Sequence, residues 1–370
     1  MARIPYVNLA IQWQQERDHL LPIVEKILEG GQYIGSKEVD NFEIEAAAAF
    51  KVGHVVALNS GTDALVCGLV AVGVGRGDEV ITPPNSFVAS TGAIVHIGAR
   101  PIFVDVKPDQ NINPRLIENA ITKKTKAIMP VHLTGRMCDM HALMEIANKH
   151  DIPVVEDAAQ SAGSALDGKT AGSWGEVGCF SAHPLKNLNA CGDAGFVITK
   201  NKHIAEKIRA MRNHGLVDRD TVAQFGHVSR MDSIQAGILQ FRLSRLQTVI
   251  KKRKRHAALY REMLDDHLVF CPPDMPGESN SWHTFVIQID GRDELRSVLA
   301  ERGVETAIHY PVPIHLQPAA EHFGYGVGAF PETERQAQRI LTLPVHQNLT
   351  DDEIQYICDL VNQFVATQCA

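Results

Sequence analysis

Between residues 53 and 200, short apolar runs rich in β-branched residues alternate with stretches of helical periodicity. The runs are VVALN at 55, EVITPP at 79, RPIFVDV at 100, KAIMPVHL at 126, IPVVED at 152 and GFVIT at 195. Most are apolar throughout, as expected for strands that are buried on both faces. The helices that connect them are predicted at 61–73, 86–97, 139–150 and 203–213. The pattern therefore predicts an α/β fold with a mostly parallel sheet.

The chain of 370 residues is longer than a single hydrophobic core usually supports. A long helical passage at 231–264 is followed by CPPDMPGESN, whose prolines and glycine interrupt the pattern. We place a domain boundary between 245 and 275. Residues 1–250 are assigned to an N-terminal arm and a large domain, and residues 251–370 to a smaller C-terminal domain.

The charge of the chain argues against nucleic acid or an anionic membrane as a partner, because the net charge is -7. One basic run, KKRKRH at 251–256, is open to two interpretations: a patch that contacts phosphates, or the solvated face of a helix. The helical spacing of Leu259, Tyr260 and Met263 directly after it favours the solvated face.

The cysteines and the apolar segments bear on the compartment. The seven cysteines, at 67, 138, 179, 191, 271, 358 and 369, form no CxxC pair and no metal-ligand spacing. Reduced thiols are expected, and no metal. The N-terminus lacks the apolar stretch of a signal peptide, and no segment approaches 18 apolar residues. We expect a cytoplasmic protein.

Ligands of open parallel sheets collect beyond the carboxyl ends of the strands. In NSGTDAL a strand ends at Asn59 and a helix begins near Gly61. The free N–H groups of the helix, together with the hydroxyl of Thr62, suit a phosphate. The alternative is an ordinary N-cap by Ser60 or Thr62.

A second strand end carries acidic residues. In VVEDAAQS the apolar strand ends at Glu156 and Asp157, and Gln160 follows. A carboxylate at the end of a buried strand is costly unless a cation or hydrogen-bond donors meet it, so a positive group is expected beside Asp157. The alternative is a capping aspartate.

The segment CFSAHPLKNLNACGDAG, at 179–195, holds one lysine, Lys186, with no acidic residue within six positions on either side. A lysine amine in a partly desolvated pocket has a lowered pKa and is nucleophilic toward carbonyls. Ser181 precedes it, and the glycines of GDAG turn the chain into the next strand. The alternative is an exposed loop lysine.

Together the three strand ends offer a phosphate anchor, a carboxylate for a cationic ring nitrogen, and an amine that can form a Schiff base. Pyridoxal 5'-phosphate (PLP) requires these three groups. Phe87, in PPNSFVAS, is then a candidate to stack on the cofactor ring, and its alternative is a core phenylalanine that starts a helix.

Motifs along nearly the whole chain resemble the DegT/DnrJ/EryC1/StrS family of sugar nucleotide aminotransferases. They are GGQYIGSKEVDNFE, NSGTDAL, GDEVITPPNSFVAS, ARPIFVDV, VVEDAAQS, HPLKNLNACGDAGFVIT, SRMDSIQAGIL, IHYPVPIHLQP and LTLPVH. The resemblance implies PLP-dependent transferase fold type I: a large PLP-binding domain with a mostly parallel seven-stranded sheet flanked by helices, and a smaller C-terminal α+β domain.

The resemblance also implies roles for individual residues. Lys186 would be the Schiff-base lysine and the proton shuttle, Asp157 the partner of the pyridine nitrogen, and Gln160 a neighbour of the cofactor's phenolic oxygen. Gly61, Thr62 and Ser181 would bind the cofactor phosphate. The positions that match sugar-nucleotide-binding residues of the family are Arg230, His309, Tyr310 and His315.

The implied reaction moves an amino group from L-glutamate to a keto group of a nucleotide-linked deoxy sugar, for a surface polysaccharide or a secondary metabolite. The pattern P-x-K-N-L followed by G-D-x-G resembles members that act on C3 more than those that act on C4. The family also implies a homodimer with shared active sites, in which Arg230 reaches across the interface.

One position departs from the family pattern. Relatives often have Asn-Ser-Arg where this chain has Val228, Ser229 and Arg230, and valine cannot donate a hydrogen bond to a partner's cofactor phosphate. Either His227 or Ser229 substitutes, or the phosphate has one donor fewer.

Three other functions are weighed. A dehydratase of the same fold typically has histidine in place of the lysine, so Lys186 counts against it. A keto-cyclitol (scyllo-inosose type) aminotransferase shares every cofactor residue and stays open. A regulatory or DNA-binding protein is disfavoured by the acidic charge and by the lack of a recognition-helix motif.

Overall fold

A computed structural model describes residues 3–368. Its helices are α1 (Leu9–Gly30), α2 (Lys37–Phe50), α3 (Gly61–Ala71), α4 (Val88–His96), α5 (Pro114–Ala120), α6 (Met140–His150), α7 (Lys202–Met211), α8 (Ser233–Met263), α9 (Arg292–Glu301), α10 (Pro331–Arg339) and α11 (Asp351–Gln368). Its strands are β1 (His54–Leu58), β2 (Glu79–Thr82), β3 (Arg100–Phe103), β4 (Thr125–Ile128), β5 (Val155–Asp157), β6 (Ala165–Leu166), β7 (Lys169–Thr170), β8 (Val177–Ser181), β9 (Gly195–Thr199), β10 (Glu278–Ser279), β11 (Phe285–Gln288) and β12 (Ile340–Leu343).

The main sheet has seven strands in the order β1-β9-β8-β5-β4-β2-β3. Strands β1, β9, β8 and β5 form one hydrogen-bonded group, and β3, β2 and β4 form another. Parallel bridges from Ile128 to Val154 and from Val131 to Asp157 join the two groups. Only β9 runs antiparallel to its neighbours β1 and β8. The predicted α/β fold with a mostly parallel seven-stranded sheet is confirmed.

Each of the six apolar runs contains a strand of this sheet, but β8 was not predicted as a strand. Its sequence, VGCFS, places a glycine and a cysteine among few β-branched residues. The strand forms because tertiary packing supports it: Phe180 stacks on Phe196 of β9, with ring centroids 4.8 Å apart. Gly178 also admits the backbone of Gly172, since a Cβ at position 178 would lie 2.3 Å from the Cα of Gly172.

The C-terminal part of the chain has its own apolar core. Residues of α9, α11, β11 and β12 form this core together with the second half of α8. Leu246 and Ile250 of α8 pack in the core of the main sheet, whereas Ala257 and Tyr260 pack in the C-terminal core. The predicted boundary at 250/251 therefore lies inside one continuous helix of 31 residues, and the division into domains stays a prediction.

The basic run at 251–256 lies in α8, and the prediction of a solvated face is wrong at two of its positions. Arg253 is 4% exposed and His256 is 3% exposed, whereas the remaining four residues of the run are exposed. The reason is the spacing. Ile250, Arg253, Ala257 and Tyr260 follow one another at intervals of three or four residues, so Arg253 lies on the buried face of the helix.

Six of the seven cysteines are free thiols, and Cys369 lies outside the described residues. Within residues 3–368 no helix combines the length and the apolar character that crossing a membrane requires.

Candidate active site

A cavity of about 320 Å³ opens at the carboxyl ends of β1, β5 and β8 and extends to the C-terminal part of the chain. Nine of the predicted site residues line it: Gly61, Thr62, Phe87, Asp157, Gln160, Ser181, Lys186, His309 and Tyr310. Tyr6 and Val7 contribute to its wall, and the rest of the wall comes from two parts of the chain. We call residues 60–193 of the wall the sheet side, and residues 253–346 of the wall the C-terminal side.

Asp157 closes β5 on the sheet side and is 4% exposed. The hydroxyl of Ser90 donates to its Oδ2 at 2.6 Å, and the backbone N–H of Ala159 donates to its Oδ1 at 3.1 Å. Burial raises the pKa of the carboxyl group, while these two donors and the nearby amine of Lys186 act in the opposite direction. The carboxylate is thus held in a fixed orientation, facing the cavity.

Lys186 lies in the loop between β8 and β9, where its backbone N–H donates to the carbonyl of His183 at 2.8 Å. Its amine faces the same cavity as Asp157. Burial lowers the pKa of this amine from 10.5 to about 8, although the charge of Asp157 opposes the shift. A substantial share of the amine is therefore neutral and nucleophilic near neutral pH.

The loop between β1 and α3 approaches β8 very closely. Ser60 caps α3 by accepting a hydrogen bond from the backbone N–H of Asp63 at 3.1 Å. The alternative prediction for this motif, an N-cap by Ser60, is therefore also confirmed. A Cβ at position 61 would lie 2.6 Å from the Cβ of Ser181. This close approach requires glycine at position 61. It places the N-terminus of α3 beside the hydroxyl of Ser181, and both face the cavity.

Gln160 connects the two sides of the cavity. Its Oε1 accepts a hydrogen bond from the backbone N–H of Thr134 at 2.7 Å, and its Nε2 donates to the hydroxyl of Tyr310 at 3.2 Å. Phe87 lies 5.8 Å from the ring of Tyr310 and is 54% exposed. Phe87 is therefore not a core residue, and its ring faces the cavity.

Sequence reasoning missed the polar residues that dominate the C-terminal side: Arg253, His283 and His346. Burial lowers the pKa of His346 to about 4 and the pKa of His283 well below its ordinary value. Burial likewise lowers the pKa of His309 to about 4. The three imidazoles are therefore neutral at physiological pH. The one feature of the sequence that could have indicated a buried residue here is the position of Arg253 on the apolar stripe of α8.

Two predicted residues do not line the cavity. The guanidinium of Arg230 donates to the side chain of Asn213 at 3.1 Å. His315 is 1% exposed, pairs with Glu334 at 3.1 Å and packs edge-on against Phe330. The roles of both residues stay predictions, and that of Arg230 concerns a partner subunit.

The residues considered as substitutes near Val228 also have partners within the chain. The hydroxyl of Ser229 donates to Asn59 at 3.1 Å, and the imidazole of His227 lies 3.4 Å from the carboxylate of Asp63. Ser229 is fully buried, whereas Val228 is about half exposed. Of the two candidates, His227 is the one whose side chain is partly exposed.

Comparison with protein families matches the model of the DegT/DnrJ/EryC1/StrS aminotransferase family to residues 14–362. The chain belongs to this family. The aminotransferase is 38% identical to a pleiotropic regulatory protein of Geobacillus stearothermophilus, over 98% of both chains. It is 37% identical to the dTDP-3-amino-3,4,6-trideoxy-alpha-D-glucose transaminase of Streptomyces venezuelae, over 98% of this chain and 96% of the relative. It is 38% identical to the UDP-N-acetyl-3-dehydro-alpha-D-glucosamine 3-aminotransferase of Acidithiobacillus ferrooxidans, over 97% of both chains.

Solved structures show the same fold as the aminotransferase. DesV of S. venezuelae, in complex with a ketimine intermediate, superposes with a TM-score of 0.96 at 37% identity and 99% coverage of both chains. NtdA of Bacillus subtilis, with bound cofactor PMP (the amine form of PLP), superposes with a TM-score of 0.91 at 31% identity, over 98% of this chain and 86% of that one. These whole-chain similarities confirm the predicted fold type.

Proposed function

We propose that this PLP-dependent aminotransferase transfers the amino group of L-glutamate to a keto group of a nucleotide-linked deoxy sugar. The observation that carries the proposal is that Asp157 and Lys186, both on the sheet side, face one cavity with a buried carboxylate and an amine of lowered pKa. Related structures hold PMP or exist in a PLP form, which agrees with this pairing.

The residues of the sheet side fit PLP. The N-terminus of α3 and the hydroxyl of Ser181 form an anion site at which residue 61 has no room for a side chain. Asp157 has no cationic partner within 4.0 Å among residues 3–368, and a protonated ring nitrogen would supply one. Lys186 would hold the cofactor through its amine. When bound, PLP supplies an electron sink for the pair released from the carbon that carries the amino group.

Lys186 is the residue that transfers the proton. Because the pKa of its amine is about 8, the group both accepts and returns a proton near neutral pH with little free-energy cost. Asp157, fixed by Ser90 and Ala159, keeps a negative charge opposite the amine. The neutral imidazoles of the C-terminal side add no positive charge that would depress the pKa of the lysine further.

The finer assignment concerns the substrate. Two of the relatives described above carry a 3-amino or 3-dehydro sugar linked to a nucleotide in their names, which supports C3 over C4 and a sugar nucleotide over a keto-cyclitol. The relative named as a regulatory protein does not favour DNA binding here, since the chain has a net charge of -7 and a cavity built for amine chemistry. We place the enzyme in the cytoplasm, in the synthesis of a surface polysaccharide or a secondary metabolite.

The test is a substrate panel. Purified enzyme loaded with PLP is incubated with L-glutamate and, separately, a nucleotide-linked 3-keto sugar, the 4-keto isomer and a keto-inositol. We expect L-glutamate to be converted to 2-oxoglutarate over many turnovers above all when the 3-keto sugar is the acceptor, with the new amine located at C3 of the sugar by NMR. Turnover confined to the keto-inositol would overturn the sugar assignment. No turnover with any acceptor, and no cofactor-derived mass on Lys186 after borohydride reduction, would overturn the aminotransferase itself.

We also propose a homodimer in which Arg230 of one subunit serves the site of the other. Lys186→Ala and Arg230→Ala variants are each expected to be inactive or strongly impaired. When the two are mixed and allowed to exchange subunits, one site of each mixed dimer regains both wild-type residues, and activity returns. If mixing restores nothing although mixed dimers form, Arg230 serves its own subunit.

A further inference from the structure

Arg253 stands apart from the other buried arginines of the chain. Four arginines are at most 8% exposed: Arg136, Arg242, Arg253 and Arg292. Three of them pair with carboxylates: Arg136 with Glu278, Arg242 with Glu16 and Arg292 with Asp293. Within residues 3–368, Arg253 has no carboxylate within 4.0 Å. It is also the only one of the four that lines the large cavity.

The guanidinium of Arg253 is only partly satisfied by the protein. Its Nη1 donates to the carbonyls of Trp282 and His283 at 3.2 and 3.1 Å, and its Nη2 donates to the side chain of Gln347 at 3.3 Å. Its Nε has no hydrogen-bond partner among the described residues. Three neutral acceptors hold the group in place without neutralising its charge, and a buried charge without a counter-ion is costly. An anionic ligand would remove that cost.

The position of Arg253 narrows the kind of anion. Arg253 and Lys186 line the large cavity together, and both also line a smaller cavity beside it. An amino donor must bring its amino-bearing carbon to Lys186, and its α-carboxylate is bonded to that same carbon. The phosphates of a sugar nucleotide, in contrast, are separated from the keto carbon by part of the sugar ring. The anion expected closest to Lys186 is therefore a carboxylate, which a guanidinium binds through two parallel N–H donors.

We propose that Arg253 binds a carboxylate of the amino donor and so makes the enzyme selective for amino acids over other amines. The assignment rests on the proposed aminotransferase function and adds to it the group that recognises the donor. Nη1 and Nη2 keep the guanidinium oriented through the protein, and the second N–H of Nη2, which has no partner among the described residues, is left for the ligand.

The experiment removes the charge from the enzyme and, in parallel, the carboxylate from the donor. PLP-loaded wild type, Arg253→Gln and Arg253→Lys are mixed with L-glutamate, with 4-aminobutanoate (no α-carboxylate) or with L-2-aminobutanoate (no side-chain carboxylate). The conversion of the cofactor to its amine form is followed by absorbance. Lys254→Gln is the matched control, because Lys254 is the next residue on the same helix and is exposed.

For Arg253→Gln we expect kcat/KM with L-glutamate to fall about 10- to 100-fold, mostly through KM, as for the loss of a hydrogen bond to a charged group. The donor that lacks the recognised carboxylate should be nearly insensitive to the substitution, and this identifies the carboxylate. Arg253→Lys should fall in between. Equal losses for all three donors would overturn the proposal in favour of a structural role, and unchanged kcat/KM for all three donors would overturn it as well.

A binding measurement separates this proposal from the proposed function. Calorimetry with glutarate, a dicarboxylate that carries no amine, is expected to detect binding to the wild type and to Lys254→Gln, and at least 10-fold weaker binding to Arg253→Gln. Binding that is unchanged in Arg253→Gln overturns the carboxylate site even if the enzyme is an aminotransferase. If Arg253→Gln does not fold, Arg253→Lys is measured in its place, with the same two outcomes.

Discussion

The two sides of the cavity differ in how their polar groups are held. On the sheet side, Asp157 accepts hydrogen bonds from the hydroxyl of Ser90 and the N–H of Ala159, and Ser60 caps α3. On the C-terminal side, the Nε of Arg253 and the Nδ1 of His283 are buried without a partner within residues 3–368. Hydrogen bonds hold a polar group in one orientation, whereas a buried polar group without a partner is costly. We therefore expect the sheet side to hold one constant ligand and the C-terminal side to bind ligands transiently.

The largest effect is expected when the amine of the sheet side is removed. Lys186→Ala should abolish turnover, because no other amine lines the cavity among residues 3–368. The rest of the sheet side is intact in this variant, so PLP should still bind, noncovalently. Product formation, cofactor absorbance and borohydride-trapped mass measure the three expectations. Full activity in the variant would refute the role of this residue.

The lowered pKa of Lys186 gives a second prediction. With a pKa of about 8 instead of 10.5, the neutral fraction of the amine at pH 7 is about 300-fold larger than that of an exposed lysine. In the cofactor-free protein, brief acetylation at increasing pH should therefore modify Lys186 with a midpoint near pH 8, because deprotonation exposes the nucleophile as the pH rises. Peptide mass spectrometry reports the extent, with Lys254 as the exposed reference. Parallel profiles for the two lysines would contradict a desolvated amine.

Asp157→Asn separates the effect of charge from the effect of hydrogen bonding on the sheet side. Asparagine has nearly the same shape and retains an oxygen for the N–H of Ala159, but it carries no charge. We expect the rate of the donor half-reaction to fall about 100-fold, in the range that a lost electrostatic contact costs an enzyme. The acetylation midpoint of Lys186 should also move to lower pH, because the charge of Asp157 raises the pKa of this amine.

Ser90→Ala is the companion to Asp157→Asn. It removes the donor at 2.6 Å from Asp157 and leaves the charge in place, so a smaller loss of about 10-fold is expected. If the serine variant loses as much as the aspartate variant, orientation of the carboxylate matters more than its charge.

The difference between the two sides of the cavity also explains which site residues could be predicted from the sequence. Gly61 and Asp157 lie at the carboxyl ends of buried strands, and a parallel sheet brings such ends to one edge. Lys186 was found from the absence of acidic residues around it. The strand β8 was missed, because VGCFS has little β propensity of its own and depends on Phe196 and Gly172.

The C-terminal side could not be found in this way. Arg253, His283 and His346 meet only because α8 packs against segments about 30 and 90 residues further along the chain, as the contacts of Arg253 with His283 and Gln347 show. No local motif marks such an encounter. His315 illustrates the converse: the motif that contains it resembles the family pattern, yet its own imidazole is committed to Glu334.

The hydrogen bond from Gln160 to Tyr310 joins the two sides, and removing it should have the smallest effect. Tyr310→Phe deletes one acceptor of a neutral hydrogen bond, which typically contributes about 1 kcal/mol. Gln160 keeps its bond to Thr134 at 2.7 Å, so its side chain should stay in place, and PLP affinity should change less than about 5-fold. Gln160→Ala loses both contacts and is the comparison variant. If Tyr310→Phe weakens PLP binding as much as Gln160→Ala does, the C-terminal side holds the cofactor too, and the two sides form one site.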